Sequence, residues 1–331
     1  MTIARAVWFE RPGVASLREA PLADPGPGEV RVRAICSGIS AGTERLVLRG
    51  DVPREARAAM ALPSMRGSFD LPISYGYATV GVIDGVGAGV DVARLGARVL
   101  ALHPHHDAFV APEGALRPLP DGAPSERLVL APSVETALNV VWDAGITLGD
   151  RVVVTGLGVI GLLVVRLAAR AGASAVVGLD PDPERAALAR ALGATATPER
   201  PELAIAAADV SIEASGAPTA LASLVASAGA ESRIVVASWY GGANVPLPLG
   251  GRFHPHRVTI RSSQVAAIDP ARAGRWDRDR RWALVCELLG DAALDRLVAP
   301  PVPLSDAPTV YAELARGARW HPPQRVLDAT R

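Results

Sequence analysis

The chain has 331 residues, 49% of them hydrophobic, which is enough for two domains with ordinary cores and argues against disorder. Lys and Arg total 34, as do Asp and Glu, so the formal charge is zero. This balance argues against nucleic acid or an anionic membrane surface as a binding partner and favours neutral small molecules or self-association. The two cysteines, Cys36 and Cys286, exclude a four-cysteine zinc lobe and indicate a reducing compartment, by default the cytoplasm.

The first third predicts an antiparallel β region of partial barrel character. Short alternating apolar runs separated by Pro and Gly occur at residues 2–10, 30–35, 78–86, 98–102 and 108–111. The first run predicts a strand and not a signal peptide, since it lacks a long apolar core. Residues 51–71 interrupt the alternation, and they fit either a short helix and loop over a pocket or a surface excursion.

From about residue 125 to 265, apolar strands alternate with alanine-rich helices, which predicts a doubly wound parallel sheet. The longest apolar stretch, near residues 152–165, is shorter than the roughly 18 residues of a membrane span and is interrupted by glycines. The predicted strands are 151–155, 175–179, 210–213, 233–238 and 258–262, and the predicted helices are 162–171, 183–192 and 219–228.

A G-x-G-x-x-G motif joins the first of these strands to its helix. Gly156 allows the tight turn, Gly158 lets a pyrophosphate approach the backbone, and Gly161 lets the helix pack on the strand. Val159 and Ile160 complete the loop, and the helix N-terminus faces an anion. Because a buried strand precedes the motif and an amphipathic run follows it, we expect a dinucleotide site here.

Three further groups complete the predicted nucleotide site. Asp180 ends the second strand, where a carboxylate accepts both hydroxyls of an adenosine ribose and repels a 2′-phosphate. The sequence therefore favours NAD over NADP, although Arg185 lies near enough in the chain to serve a phosphate. Ser215 and Ser238 follow two other strand ends and belong either to the cofactor site or to ordinary loops.

An arginine-rich run, residues 272–281, contains Trp276 and is predicted to open a helix that continues to residue 289. It fits a phosphate clamp or a solvated helix face, with Asp277 and Asp279 offsetting the charge. The tail then predicts a helix at 307–316 and a closing strand at 325–327.

This order of elements, with Gly156–Gly161 opening the nucleotide domain, resembles the medium-chain dehydrogenase/reductase superfamily over nearly the whole chain. The resemblance implies a Rossmann doubly wound parallel sheet, residues 125–289, that binds NAD. It also implies a GroES-like β-rich catalytic domain, residues 1–124, completed by 290–331. Within the family, residues 37–45 are similar to the subgroup that contains bacteriochlorophyllide dehydrogenases and various alcohol dehydrogenases.

The resemblance also implies that the catalytic zinc is absent. Zinc-dependent members carry Cys before Gly-Ser/Thr-Asp; here Ala41 precedes Gly42, Thr43 and Glu44, and Tyr77 replaces the histidine ligand. The third ligand position falls near Ala131 or Pro132, which cannot bind a metal. The cluster His103, His105, His106 and Asp107 has metal-type side chains, but its spacing fits no standard tetrahedral zinc pattern, so no metal is expected.

Four residues are expected to carry the chemistry in place of zinc. By resemblance, Thr43 matches a proton-relaying hydroxyl, Tyr77 points into the cleft, His103 lines the substrate pocket and Glu44 orients a neighbour. With an ordinary pKa near 6.5, His103 is the better acid and Tyr77 the better hydrogen-bond donor. Three of them have an ordinary structural role as the alternative. Thr43 would cap a helix, Tyr77 would fill the space left by zinc, and His103 would be satisfied in a turn.

On the cofactor side, the resemblance implies that Thr136 contacts nicotinamide and that Arg325 meets the pyrophosphate. It further implies a homodimer formed through the edge strand 258–262 of the Rossmann domain.

The first functional hypothesis is a zinc-independent, NAD-dependent alcohol dehydrogenase or carbonyl reductase acting on a small molecule. The alternatives are a quinone or enone reductase of the same superfamily and a nucleotide-binding protein without turnover.

Overall fold

A computed structural model describes residues 2–195 and 201–331, which form two compact units. Unit 1 comprises Met1–Pro132 and Cys286–Arg331, and unit 2 comprises Ser133–Val285. The sequence placed these divisions at 124/125 and 289/290. Residues 125–132 lie in unit 1 because the helix that opens this segment packs on the central strand of that unit, and Arg127 in it binds Asp295 through paired 2.7 Å contacts.

Strands dominate the first third of the chain, and helices alternate with strands after it. The strands are β1 (Thr2–Arg11), β2 (Val14–Leu22), β3 (Glu29–Gly38), β4 (Arg66–Gly67), β5 (Ile73–Ser74), β6 (Thr79–Val86), β7 (Arg98–Ala101), β8 (Ala108–Pro112), β9 (Leu116–Pro118), β10 (Arg151–Thr155), β11 (Ala175–Leu179), β12 (Val210–Glu213), β13 (Arg233–Val236), β14 (Thr259–Ser262), β15 (Val302–Pro303) and β16 (Val326–Asp328). The helices are α1 (Ala41–Leu48), α2 (Arg57–Met60), α3 (Ser125–Leu128), α4 (Ala131–Ala144), α5 (Val159–Arg170), α6 (Pro183–Ala191), α7 (Pro201–Ala206), α8 (Pro218–Ser227), α9 (Pro270–Ala273), α10 (Arg278–Leu288) and α11 (Ala307–Ala315).

Unit 1 has the predicted β-rich architecture, built as two sheets. One has the strand order β2-β1-β5-β4; the other runs β15-β16-β3-β6-β7-β9, with β8 also paired to β3. The C-terminal strand β16 pairs antiparallel with β3, with Val326 opposite Gly38 and Leu327 opposite Ser37. The tail of the chain therefore lies beside the carboxyl end of β3, where α1 begins.

The segment 51–71 contributes one side to the unit 1 core, while other residues in it, such as Arg54 and Glu55, are exposed. Ala56, Met60 and Phe69 are buried in the apolar cluster that also contains α11 residues. The Tyr75 hydroxyl donates to the Met60 carbonyl over 3.0 Å, which fixes α2 against the sheet.

Unit 2 contains the predicted parallel sheet, with strand order β11-β10-β12-β13-β14 and every neighbouring pair parallel. The strands are short and rich in valine and isoleucine, as is typical of parallel strands that are buried on both faces of the sheet. The chain moves from β10 to one side for β11 and returns to the other side for β12. This reversal places a crevice at the carboxyl end of β10, where open α/β sheets bind ligands.

Two predicted helices differ from the structure. Helix α5 begins at Val159 and not at residue 162, because extended Gly158 acts as its N-cap and the turn closes at once. The arginine run does not form one helix: α9 ends at Gly274, and α10 begins anew where the Asp277 carboxylate accepts the Arg280 N–H over 2.7 Å. Within the two described ranges, no helix has both the length and the hydrophobicity to cross a membrane.

Candidate catalytic and nucleotide-binding residues

Three hydroxyls meet at the start of α1 in unit 1. The Tyr77 hydroxyl donates to Ser40 Oγ over 2.6 Å and lies 3.5 Å from Thr43 Oγ1. All three side chains belong to half-buried residues. We call Ser40, Thr43 and Tyr77 the hydroxyl cluster; it brings two predicted catalytic residues together and adds Ser40, which the sequence did not indicate.

A buried carboxylate supports this cluster from behind. Glu44 is fully buried; its Oε1 accepts the Ser40 backbone N–H over 2.8 Å, and its Oε2 lies 3.0 Å from His105 Nε2. The Tyr311 hydroxyl donates to the same Oε2. The other ring nitrogen of His105, Nδ1, lies 2.7 Å from Ser37 Oγ. These donors offset the cost of burying Glu44 and fix the turn that carries Ser40 and Thr43.

Both tyrosines beside Glu44 are held in their protonated forms. Burial raises the pKa of Tyr77, and its hydrogen bonds to Ser40 and Thr43 oppose that shift only in part. Burial also raises the pKa of Tyr311 well above its ordinary value, and the charge on Glu44 adds to this. At neutral pH both groups therefore act as hydrogen-bond donors.

His103 lies apart from the hydroxyl cluster, which corrects its predicted role as the better acid. Its ring stacks on Phe109 at 3.8 Å, and its Nδ1 lies 2.9 Å from the Pro104 carbonyl oxygen. Burial lowers the pKa of His103 to about 4, and the charges of Arg66 and His105 lower it further. The ring is therefore neutral at pH 7 and carries no excess proton to donate.

The residues of unit 1 do not fit a tetrahedral zinc ion. The positions that the resemblance matches to the family ligands hold Ala41, Tyr77 and either Ala131 or Pro132, and both ring nitrogens of His105 already have partners. Cys36 is buried, and burial raises the pKa of its thiol, which disfavours the thiolate that binds metals. Across residues 2–195 and 201–331, no group of three or more His, Cys, Asp or Glu side chains is arranged to hold a metal ion.

The glycine loop of unit 2 has tight contacts at its first and third glycines and open space at the second. Gly156 has φ +85°, and a Cβ there would lie 2.5 Å from Ser215 Cα. A Cβ on Gly161 would overlap the Gly156 carbonyl oxygen, whereas no described atom lies within 4 Å of one built on Gly158. Val159 and Ile160 form the first turn of α5 above this opening. The loop thus has the shape of a cradle for a pyrophosphate.

Asp180 is fixed against this loop. Its Oδ2 accepts the Leu157 N–H over 2.8 Å, and its Oδ1 accepts the Asp182 N–H over 3.0 Å. Arg185 Nη1 lies 4.0 Å from Asp180, and Arg185 Nε lies 3.9 Å from Asp182. The carboxylate is held at the carboxyl end of β11 next to the cradle, the position where a ribose is expected.

A second buried acid ties together the loops that follow β12 and β13. Glu213 Oε1 accepts the Ser215 N–H over 2.7 Å and the Gly216 N–H over 3.1 Å, while Tyr240 donates to Oε2 over 2.7 Å. Gly216 N also donates to Ser238 Oγ over 2.9 Å. Ser215 and Ser238 are therefore joined beside Gly156. Glu213 was not predicted from the sequence, although an acid that ends an apolar strand could have indicated it.

The two remaining predicted cofactor residues, Thr136 and Arg325, are outside the glycine loop in sequence. Thr136 is in the second turn of α4 in unit 2, and Arg325 precedes β16 in unit 1. Arg325 Nε is buried and has no hydrogen-bond partner among the described residues, and its guanidinium lies 5.6 Å from the Trp320 ring centroid. A buried donor without a partner suits an anion.

The sequence is similar to those of known dehydrogenases. A family model described as zinc-binding dehydrogenase matches residues 159–276. D-guloside 3-dehydrogenase of Escherichia coli K12 is 33% identical over 227 residues, a match that covers 64% of this chain and 63% of that protein. The chain thus aligns with less than two thirds of that relative.

Solved structures show the same fold over the whole chain. A structure from Sinorhizobium meliloti bound to NADP has a TM-score of 0.79 at 22% identity, covering 99% of this chain and 100% of that one. A short chain alcohol dehydrogenase of Escherichia coli CFT073 complexed with NADH also reaches 0.79, at 20% identity and the same coverage. The chain therefore has the Rossmann and GroES-like architecture of these solved structures, and its residues 159–276 are similar to the zinc-binding dehydrogenase family.

Proposed function

We propose that this protein is a zinc-independent, NAD-dependent oxidoreductase that interconverts an alcohol and a carbonyl. The observation that carries the proposal is the hydroxyl cluster, in which Tyr77 occupies the position of a family zinc ligand and bonds to Ser40. The names of the relatives support an alcohol or sugar substrate, since one is a guloside dehydrogenase and another an alcohol dehydrogenase.

The chain's own residues would hold the nucleotide as follows. The loop Gly156–Gly161 and the N-terminus of α5 bind the pyrophosphate, and Asp180 accepts the ribose hydroxyls. A bound nicotinamide nucleotide supplies the hydride acceptor or donor. Asp180 favours NAD because its charge opposes a 2′-phosphate, and Arg185 already faces two carboxylates.

The hydroxyl cluster handles the proton. During carbonyl reduction the substrate oxygen gains negative charge, and the Tyr77 hydroxyl donates a hydrogen bond to it. When the substrate oxygen takes the Tyr77 proton, Ser40 or Thr43 would pass a proton to the Tyr77 oxygen and take one from bulk water in its place. Glu44, held by Tyr311 and His105, keeps the turn in place throughout.

Three measurements test the proposal. NADH titration should give saturable binding at least tenfold tighter than NADPH, and an alcohol panel should reduce NAD. Turnover should survive chelation, with less than stoichiometric zinc in the active protein. A strict requirement for stoichiometric zinc would contradict the role given to Tyr77, and the absence of nucleotide binding would contradict the whole proposal.

A quinone or enone reductase is the second candidate, and one observation favours it. The cluster offers weakly acidic hydroxyls, because burial raises the pKa of Tyr77, and the pKa of His103 is about 4. Conjugated acceptors need less polarisation. Faster NADH oxidation with a quinone panel than NAD reduction with alcohols would select this candidate. Tight nucleotide binding without turnover, unaffected by Thr43→Ala, would instead support a non-catalytic nucleotide-binding role.

A further inference from the structure

A second concave site lies in unit 2. A cavity of about 410 Å³ opens between the end of α4 and the segment around α9, with β13 and β14 as its floor. It reaches Arg233 and Thr259, which begin β13 and β14, whereas the loops proposed to hold the nucleotide follow the carboxyl ends of the strands. We call it the arginine pocket, since its charged lining residues are Arg233, Arg261, Arg272, Arg275, Asp143 and Asp269.

Both carboxylates of the arginine pocket are engaged by one arginine. Arg261 Nη2 lies 3.0 Å from Asp143 Oδ1, and Arg261 Nη1 lies 3.0 Å from Asp269 Oδ2. Asp143 Oδ2 also accepts Ser263 Oγ over 2.6 Å. The two aspartates therefore hold Arg261 at the pocket wall, and Arg233 pairs with Asp150 at 3.5 Å, so the remaining arginines of the lining are Arg272 and Arg275.

Arg272 and Arg275 form no ion pair with a carboxylate in the part of the chain that the structure describes. The Arg272 guanidinium lies 5.2 Å from the Trp142 ring centroid, and Trp142 packs on Trp276 at 4.7 Å. This stacking holds Arg272 at the pocket before any ligand arrives, which reduces the entropy lost on binding. Arg275 is exposed at the rim.

The other arginines of the same run have different surroundings. Arg280 stacks on Trp276 at 4.2 Å, and buried Arg281 contacts Glu135 at 2.8 Å and Asn139 at 3.0 Å. Of the two interpretations of this run, the solvated face applies to exposed Arg280 and not to buried Arg281. Arg272 and Arg275 line the pocket, whereas Arg281 packs inside the fold.

We propose that the arginine pocket binds a small organic dianion, a phosphate monoester or a dicarboxylate, at a site separate from the nucleotide. Guanidinium groups without carboxylate partners at one concavity repel each other, and a dianion that bonds to two of them removes that repulsion. The cavity volume lies within the range of roughly 300–1,000 Å³ of small-molecule sites, toward its lower end. The inference does not depend on the proposed oxidoreductase activity.

Isothermal titration of the full chain with glycerol 3-phosphate and with malonate, each with and without saturating NADH, tests this. At least one probe should bind one-to-one with a dissociation constant below 1 mM, retained with NADH present, where about 1 mM corresponds to −4.1 kcal/mol. Arg272→Gln combined with Arg275→Gln should weaken binding at least tenfold. The matched control is Arg278→Gln, at an exposed arginine of the same run whose Nη2 donates to the Ala266 carbonyl oxygen over 3.4 Å, and it should change binding less than twofold.

The relative affinities of the two probes distinguish a phosphate ligand from a carboxylate ligand. The proposal is overturned if neither probe saturates at millimolar concentration, if NADH displaces the probe, or if the control weakens binding as much as the double variant. Should the double variant fail to fold, Arg275→Glu at the exposed rim replaces it and should abolish binding. Failure of NADH to bind would count against the proposed function alone, because the arginine variants still report on the pocket.

Discussion

At the scale of single residues, Tyr77 supplies the phenol of the hydroxyl cluster. Its hydroxyl bonds to Ser40 and, at 3.5 Å, approaches Thr43, and burial raises its pKa. Such a group donates a hydrogen bond across the whole neutral range, so its contribution to turnover is to stabilise negative charge on the substrate oxygen.

Tyr77→Phe should lower kcat about 100-fold with the best substrate of the panel, since a positioned proton donor contributes roughly 10²–10⁴. The dissociation constant of NADH should stay unchanged, because the hydroxyl does not hold the nucleotide. Tyr75→Phe is the matched control: it removes another buried hydroxyl, bonded to Met60 over 3.0 Å, and should cost about 1 kcal/mol of stability without loss of kcat. Equal losses of kcat in the two variants would contradict a specific role for Tyr77.

His103 should make the fold sensitive to acid. Burial lowers its folded pKa to about 4, below the ordinary value of 6.5, so protons bind the unfolded chain more readily. The contribution of neutral His103 to the free energy of unfolding is complete above pH 6.5 and is lost as the pH falls toward 4. His103→Gln should reduce the slope of the unfolding free energy in this window by up to about 1.4 kcal/mol per pH unit.

Urea unfolding at a series of pH values measures that slope. Buried His106, whose pKa is also lowered by burial, should leave part of the acid sensitivity in the His103 variant. Exposed His254 serves as the control, and His254→Gln should leave the slope as it is. A slope unaffected by His103→Gln would show that the ring is solvated in solution.

At the scale of elements, the turn from β10 to α5 separates a folding role from a binding role. Gly161 packs the helix on the turn, because a Cβ there would overlap the Gly156 carbonyl oxygen. Gly158, with φ −72°, has a backbone conformation open to any residue and empty space above it.

The two glycines should therefore respond differently to the same added methyl group. Gly158→Ala should leave stability within about 0.5 kcal/mol and weaken NADH binding at least tenfold, because the methyl occupies the place proposed for the pyrophosphate. Gly161→Ala should destabilise the fold by about 3 kcal/mol. Fluorescence titration with NADH and urea unfolding measure the two effects; unchanged NADH affinity in Gly158→Ala would remove the proposed cradle.

At the scale of the whole molecule, β14 is the last strand of the parallel sheet, and β13 is the one strand of residues 2–195 and 201–331 that pairs with it. The N–H groups of Thr259 and Ser263 donate to Ser232 and Val236 on the β13 side, over 3.1 and 2.9 Å. The intervening N–H of Ser262 therefore points to the outer edge. Exposed edges of this kind pair with another chain, and we propose a homodimer through β14.

Ser262→Pro should block that pairing while it leaves the bonds to β13 intact, because proline removes only the outward N–H. Light scattering after gel filtration should give a dimer for the wild-type protein and a monomer for Ser262→Pro. Ser262→Ala keeps the N–H and should remain dimeric. A monomeric wild-type protein would contradict the proposed interface.

By itself the sequence determined the β-rich first unit, the parallel sheet of the second and the glycine loop, because these depend on local periodicity and on spacing within one strand–turn–helix. The tertiary structure alone decided the partners of Glu44: His105 lies 61 residues away and Tyr311 lies 267 residues away. It also decided that His103 is neutral and stacked, and that Arg272 of the arginine run lines a pocket while Arg281 is buried. Burial and long-range contact set pKa values and pair charges, and neither is encoded in a short stretch of chain.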